Sequence, residues 1–181
     1  MSWKRKRLVL VLSAIVAASG LLPATAAARS GSAHRAESHC VVYVVGQVDD
    51  GTLQMSEPEC FETESEAAMT AASGNLQAQS TGLDSLAMGS STFILGIHYD
   101  GANGTGSSVT VVGESCTGGY WNTPTWFDNR ITSSYNGCGR LRHFDRPYTG
   151  GSSTNTYGAG TTDNLSAWMN NRTESVAYYS S

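Results

Sequence analysis

Lysine is almost absent from this sequence, because both copies lie within the first six of 181 residues. Beyond residue 28 the chain carries seven arginines against fifteen acidic residues, which gives a formal charge of −8. No basic stripe is therefore available to neutralise phosphates, and we expect no nucleic-acid partner. Arginine without lysine, together with abundant alanine, glycine, serine and threonine, is typical of a GC-rich bacterial genome.

Apolar runs long enough to cross a membrane are also missing. The apolar run Leu8–Ala18 follows four basic residues, and small residues that suit a signal peptidase come at 24–28. This is the pattern of a secretory signal peptide, and the run is too short to remain as a transmembrane helix. We predict that residues 1–28 are removed and that the mature protein is secreted, extracellular and without a membrane partner.

Cysteine pairs of the zinc-binding Cys-x-x-Cys type do not occur in the sequence. Four cysteines lie beyond the signal peptide, and an even number in an oxidising compartment indicates disulfide bonds. The simplest pairing is local and joins Cys40 to Cys60 and Cys116 to Cys138. Each bond would close a loop of about twenty residues, which the loop-entropy model values at about 3 kcal/mol.

Catalytic signatures are missing as well. The sequence contains no Gly-x-Ser-x-Gly, His-Glu-x-x-His or paired-carboxylate pattern. His98 and His143 occupy equivalent places in an internal repeat, each beside an aromatic residue, and we interpret them as structural. We therefore expect a protein that is not an enzyme.

What is present falls into two regions beyond the signal peptide. Residues 29–91 form an N-terminal segment with one disulfide, in which the β-branched run Cys40–Val48 predicts a strand. Thr63 and Glu66 form a capping box before a short helix, which we expect Gly74 to end. Glycine, serine, glutamine and asparagine then predict a linker up to residue 91.

The second region, 92–181, repeats itself. "IHYDGANGTGSSVTVVG" begins at Ile97, and "RHFDRPYTGGSSTNTYG" begins at Arg142. Trp126 and Trp168 recur in the same way, and we interpret both as core residues. Short apolar runs separated by glycine turns predict strands. Two motifs, at about 93–136 and 139–181, would therefore build one eight-stranded domain.

An oxygen-rich phrase closes each repeat, "DNRITS" at 128–133 and "NNRTES" at 170–175. The phrases and the glycine-serine hairpins at 106–107 and 151–152 resemble the βγ-crystallin superfamily. Each motif of that family ends in Asn/Asp, Asn/Asp, any, any, Ser/Thr, Ser. The first phrase matches at every position, and the second departs at Glu174. The resemblance implies a mainly β fold, a two-sheet Greek-key sandwich of eight strands, preceded here by a small strand-plus-helix segment.

Calcium binding at the two phrases is the second implication of the resemblance. Calcium takes six to eight oxygen ligands from carboxylates, amides, hydroxyls and backbone carbonyls. The candidate ligands are Asp128, Asn129, Arg130 (through its carbonyl), Thr132 and Ser133 in the first phrase, and Asn170, Asn171, Arg172, Glu174 and Ser175 in the second. We expect each phrase to meet a hairpin of the other motif, and the first phrase to make the tighter site.

The expected function is that of a secreted calcium-binding protein with a binding or structural role. Two alternatives remain open. The protein could inhibit a secreted protease, as actinobacterial metalloproteinase inhibitors of this fold do, through exposed aromatic residues in the loop Thr117–Thr125. It could also be a calcium-independent coat or cell-surface structural protein.

Overall fold

The structure, a computed structural model, describes residues 37–80 and 92–181. The predicted signal peptide and the predicted linker beyond residue 80 lie outside the described residues. The described part contains eleven strands and one helix. In chain order they are β1 His39–Gln47, β2 Leu53–Met55, β3 Glu59–Phe61, α1 Glu64–Ser80, β4 Phe93–Tyr99, β5 Ser108–Gly113, β6 Thr117–Asn122, β7 Ser133–Asn136, β8 Arg140–Phe144, β9 Ser153–Tyr157, β10 Thr161–Asn164 and β11 Ser175–Tyr179.

The strands form two sheets around one main core. The first sheet has the order β10-β7-β4-β5-β1-β2, with β3 also paired to β1, and the second has the order β6-β11-β8-β9. Alternate side chains of a strand point to opposite faces, so Val176 and Tyr178 of β11 enter the main core while Ala177 packs on the outer face. The fold class is therefore the mainly β, two-sheet arrangement that the sequence predicts.

The internal repeat corresponds to two four-stranded motifs, β4–β7 and β8–β11. Each motif keeps three strands in one sheet and sends its third strand to the other, so β6 and β10 exchange sheets. Equivalent backbone bonds recur in both halves: the Thr132 N–H donates to Tyr99 O at 2.8 Å, and the Glu174 N–H donates to Phe144 O at 2.9 Å. The exchange gives the sandwich its pseudo-twofold symmetry.

The N-terminal strands extend the first sheet. β1 pairs with β5 in parallel, and β2 and β3 both pair with the opposite side of β1. The turn after β1 also reaches the second sheet, where the Tyr120 N–H donates to Gly51 O at 3.0 Å and the Thr52 hydroxyl donates to the Tyr120 hydroxyl at 2.5 Å. The segment that precedes the two motifs thus bridges both sheets on one side of the sandwich.

The helix begins where the sequence predicts and ends later. The Thr63 hydroxyl accepts the Glu66 N–H at 3.2 Å and donates to the Glu66 carboxylate at 2.9 Å, which completes the capping box. The predicted end at Gly74 is wrong, because α1 continues to Ser80. A glycine inside a helix costs only about 1 kcal/mol relative to alanine, and two alanines of α1 are packed against the first sheet.

Both predicted disulfides are confirmed. Cys40–Cys60 joins β1 to β3, with the two Cα atoms 4.0 Å apart. Cys116–Cys138 joins the segment before β6 to the segment before β8, with the Cα atoms 5.8 Å apart. The first bond therefore links two neighbouring strands, and the second links the segments that lead into β6 and β8, the two strands on either side of β11.

Two fully buried histidines lie at the centre of the sandwich. His98 has hydrogen-bond partners at both ring nitrogens, the Ser134 hydroxyl at 2.9 Å and the Tyr178 hydroxyl at 2.9 Å. The ring of His143 lies edge-on to it, 5.9 Å between centroids. Val176 stands where the repeat would place a second serine, and the His143 Nδ1 has no partner among the described residues. Burial lowers the pKa of His143 to about 3, and burial together with His143 lowers the pKa of His98 well below 6.5.

Candidate functional site

The first oxygen cluster joins the start of the first phrase to the fifth position of the second. The Asp128 carboxylate accepts hydrogen bonds from the Thr123 hydroxyl at 2.8 Å and from the Asn129 amide at 3.0 Å. The same amide nitrogen donates to Glu174 Oε1 at 3.3 Å. The donor group of Asn129 therefore lies between two carboxylates, one from each phrase. We call Thr123, Asp128, Asn129 and Glu174 cluster 1.

The second oxygen cluster is the symmetric counterpart. The Thr132 hydroxyl lies 2.8 Å from Asn170 Oδ1 and 3.3 Å from Asn171 Oδ1. These three side chains, which we call cluster 2, supply three neutral oxygens and no carboxylate. Leu165 occupies the position that Thr123 has in cluster 1, so cluster 2 also lacks the fourth oxygen.

Each phrase is thus divided between the two clusters. Asp128 and Thr132 belong to the same phrase, yet their side chains meet different partners from the other phrase. The backbone confirms the crossing, because the Asn129 N–H donates to Thr173 O at 3.2 Å and the Asn171 N–H donates to Ile131 O at 3.0 Å. The phrases cross to each other rather than to the expected hairpins, since Ser133 and Ser175 bond the hairpins of their own motifs, and each phrase serves two clusters rather than one.

Thr123 is a cluster member that the sequence did not reveal. It precedes the phrase by five residues and has no hydroxyl counterpart in the second repeat. Its backbone N–H and its hydroxyl both bond to Glu174 O at 3.0 Å. The residue therefore fixes the segment just before β11, which carries Glu174, beside Asp128, and no local pattern signals this contact across the two motifs.

The side chain of each phrase arginine links the phrase to the hairpin of the same motif. Arg130 donates to Trp126 O at 3.0 Å and forms an ion pair with Asp100 of the hairpin in its own motif. Arg172 repeats this less tightly, with Nη2 3.3 Å from Asp145 and Nη1 3.5 Å from Trp168 O. The backbone carbonyl of Arg130, predicted as a ligand, accepts no hydrogen bond from the residues that the structure describes.

The last serine of each phrase holds a hairpin in place. The Ser133 hydroxyl donates to Gly101 O at 2.7 Å and accepts the Gly104 N–H at 3.0 Å. The Ser175 hydroxyl does the same with Arg146 O at 2.8 Å and the Thr149 N–H at 3.2 Å. Both serines are fully buried, and their hydroxyls are occupied by hydrogen bonds to the backbone. Their role is therefore structural, and they do not offer an open ligand position.

The hairpins need the glycines that follow them. Gly106 and Gly151 have φ of 78° and 74°, which side chains rarely adopt, and a Cβ at either position would overlap the aspartate that precedes its hairpin. The second hairpin also places Tyr148 and Thr149 at φ of 56° each. A β-branched residue is strained in this region.

Trp126 and Trp168 are not core residues, contrary to the sequence interpretation. They are 42% and 44% exposed, while their neighbours Phe127 and Met169 are buried. In each repeat the residue after the tryptophan enters the core, and the indole is left at the surface. The repeat predicted that the two tryptophans share a position but did not indicate which side of the chain faces inward.

The loop considered for protease inhibition does not present its aromatic residues. Tyr120 and Trp121 are only 6% and 3% exposed, and most of the loop is the strand β6. The Trp121 ring stacks on His98 with 5.5 Å between centroids. The expectation of exposed aromatic side chains in this loop is therefore wrong, because they complete the packing of the second sheet.

Acidic and sulfur ligands do not gather elsewhere in the part of the chain that the structure describes. No group of three or more histidine, cysteine, aspartate or glutamate residues suited to a metal ion occurs in residues 37–80 and 92–181. Over the same ranges no helix is long and apolar enough to span a bilayer. The two clusters differ from such groups because amide and hydroxyl oxygens make up most of their donors.

A comparison with solved structures found similarity to bacterial betagamma-crystallin domains. A betagamma-crystallin domain from Clostridium beijerinckii is 17% identical with a TM-score of 0.38, and the match covers 48% of this chain and 99% of that domain. A betagamma-crystallin domain from Flavobacterium johnsoniae is 20% identical with a TM-score of 0.35, and the match covers 46% of this chain and 91% of that domain. Both belong to the family that the two phrases resemble. A scan against family models and a search of curated proteins found no match.

Proposed function

We propose that this protein is an exported calcium-binding protein with a binding or structural role and no catalytic activity. The observation that carries the proposal is cluster 1, where Asp128 and Glu174 converge from two motifs on one amide group. Calcium prefers hard oxygen ligands and tolerates an irregular arrangement of six to eight of them. Two carboxylates, a threonine hydroxyl, an asparagine oxygen after rotation of its amide, nearby carbonyls and water suit that preference.

The difference in charge between the clusters ranks them. Cluster 1 carries two carboxylates, and cluster 2 carries none. Ligand charge is one of the factors that tune calcium affinity, so cluster 1 should be the tighter site. The ranking expected from the sequence assumed that each phrase makes one site together with a hairpin of the other motif. With the phrases divided, Glu174 strengthens the site that contains Asp128, and Thr132 belongs to the weaker one.

Calcium bound at cluster 1 would stabilise the fold. The cluster joins the first phrase to the last strand of the second motif, so an ion there holds the two motifs together. A ligand that binds the folded state alone adds about 2.7 kcal/mol to stability at 100 times its dissociation constant. Extracellular calcium modules have dissociation constants of roughly 10⁻⁴ to 10⁻³ M, so about 10 mM calcium is a sufficient test concentration.

The experiment compares unfolding in calcium and in chelator for three proteins: wild type, Glu174→Gln and Glu114→Gln. Glu114→Gln is the matched control, since it removes the same charge outside both clusters. Wild type and the control should gain stability in calcium, and Glu174→Gln should lose most of that gain. Thr132→Ala, which touches cluster 2 alone, should lose the smaller part. The proposal is overturned if calcium does not raise the stability of the wild type, or if it raises the stability of Glu174→Gln as much as that of the wild type.

Export is the other part of the proposal. The basic start, the apolar run Leu8–Ala18 and the small residues at 24–28 support it. Expression in a secreting bacterial host should release a protein that begins near residue 29, as read by N-terminal sequencing of the medium fraction. Intact protein retained inside the cells would contradict this part without affecting the calcium test.

A further inference from the structure

A small cavity borders one of the two exposed tryptophans. It has a volume of about 200 Å³ and is lined by Ser38, Cys40, Cys60, Ser107, Trp126, Phe127 and Arg130. Sites for drug-sized ligands occupy roughly 300–1,000 Å³, so this cavity suits a single small unit. Its walls come from two sources, the N-terminal strands and the first motif.

Trp168, the equivalent tryptophan of the second motif, is not bordered by such walls. β5, next to the cavity, pairs with both β4 and β1. Its counterpart β9 in the second motif pairs with β8 alone among the described strands. Trp168 is as exposed as Trp126, but the N-terminal strands that supply Ser38 and the disulfide lie against the first motif. The molecule therefore contains its own control for an exposed indole without these walls.

The charge of the cavity is balanced. Arg130 is paired with Asp100, so neither an anion nor a cation would find an uncompensated partner. The guanidinium carries five N–H donors, of which the bonds to Trp126 O and Asp100 use two. The Ser107 hydroxyl accepts the Ser38 N–H at 3.2 Å and retains its own proton to donate. The ligand that fits is neutral, with polar groups at its edge.

A flat apolar platform completes the pattern. The Trp126 indole is held by an edge-on contact with Phe127, 5.7 Å between centroids, while 42% of the side chain stays exposed. A pyranose ring presents a face of C–H groups to such a platform and hydroxyls around its rim. From the indole, the hydroxyl donor and the neutralised arginine, we infer that this cavity binds one pyranose unit of a neutral polysaccharide. The proposal is independent of calcium.

The test uses soluble oligosaccharides on the purified protein in chelator. Cellohexaose, chitohexaose and maltohexaose are titrated to about 10 mM by calorimetry and by tryptophan fluorescence. At least one should bind, and Trp126→Ala should weaken it about tenfold through the lost apolar contact. Trp168→Ala, the matched control, should bind as wild type does. If none of the three sugars binds, or if both variants lose affinity equally, the inference is wrong.

A second measurement avoids any change to the fold. Oxidation by N-bromosuccinimide attacks exposed indoles, so Trp126 and Trp168 should both react in the free protein. Saturating sugar should protect Trp126 and leave Trp168 reactive, as read by peptide mass mapping. Equal reaction of the two residues with and without sugar would also overturn the inference. Ser107→Ala, which removes a rim donor while keeping the indole, should weaken binding to a smaller extent.

Discussion

The buried histidine pair should make this protein sensitive to mild acid. Burial lowers the pKa of His143 to about 3, against 6.5 for an exposed histidine. The unfolded chain therefore binds a proton at His143 between these two values while the folded chain does not. Stability rises with pH wherever the unfolded state binds more protons. The stability that His143 contributes by remaining neutral in the folded state should be fully present above pH 6.5 and should be lost as the pH falls towards 3.

The size of the effect follows from the unfolded pKa alone at moderate pH. A pH of about 5 lies about 1.5 units below the pKa of the unfolded histidine. Each of these pH units lowers the free energy of unfolding by about 1.4 kcal/mol. His143 should therefore cost about 2 kcal/mol between pH 7.5 and pH 5, and any folded pKa well below 5 gives the same figure. His98 adds a loss in the same direction, since its pKa is also lowered.

The assay is urea unfolding of wild type and His143→Leu at both pH values, in chelator. Leucine cannot titrate, so the variant should lose about 2 kcal/mol less than wild type on going to about pH 5. The substitution removes Nδ1, which has no partner among the described residues, and also the 3.5 Å contact of Nε2 with the Thr156 hydroxyl, so the test compares the acid losses of the two proteins and not their stabilities at pH 7.5. Equal acid losses for the two proteins would show that His143 titrates normally in the folded state, which would refute the reasoning.

Two further substitutions test local strain and an unpaired hydroxyl. Thr149→Gly should raise the free energy of unfolding by about 1 kcal/mol in urea, because glycine accepts the left-handed backbone that threonine does not; a lower stability would contradict the assigned strain. Thr173 is fully buried, and its hydroxyl has no partner among the described residues. Thr173→Val keeps the shape, removes that group and should stabilise by about 1 kcal/mol, and an unchanged or lowered melting temperature would indicate a partner for the hydroxyl.

The repeat and local patterns made much of the architecture predictable. The β-branched run that became β1, the capping box at Thr63 and the glycines at 106 and 151 each follow from short-range preferences of the backbone. The eight strands of the two motifs follow from the repeat, because the same assignment of four strands has to fit both copies of the pattern. The two disulfides follow from local spacing in an exported chain.

Long-range placement was not predictable in the same way. Nothing in the run at β1 indicates that it pairs with β5 in parallel, because that partner is set by the edge that the motifs leave open. The side chains of Asp128 and Thr132 diverge within one turn, so a linear motif does not reveal that they serve different clusters. The same holds for Trp126 and Phe127, where the pattern gives two adjacent aromatic residues and no indication of which one is exposed.

Because β6 and β10 exchange sheets, neither motif forms a complete folded unit by itself. A single motif alone would lack one strand of its own sheet and part of each oxygen cluster. A chain with one motif would therefore need a second copy related by a twofold axis, an isologous pairing in which both clusters would be identical. In one covalent chain the two copies can vary separately. Glutamate opposite threonine, and valine opposite serine beside the histidines, are differences that a symmetric pair of identical chains could not have held.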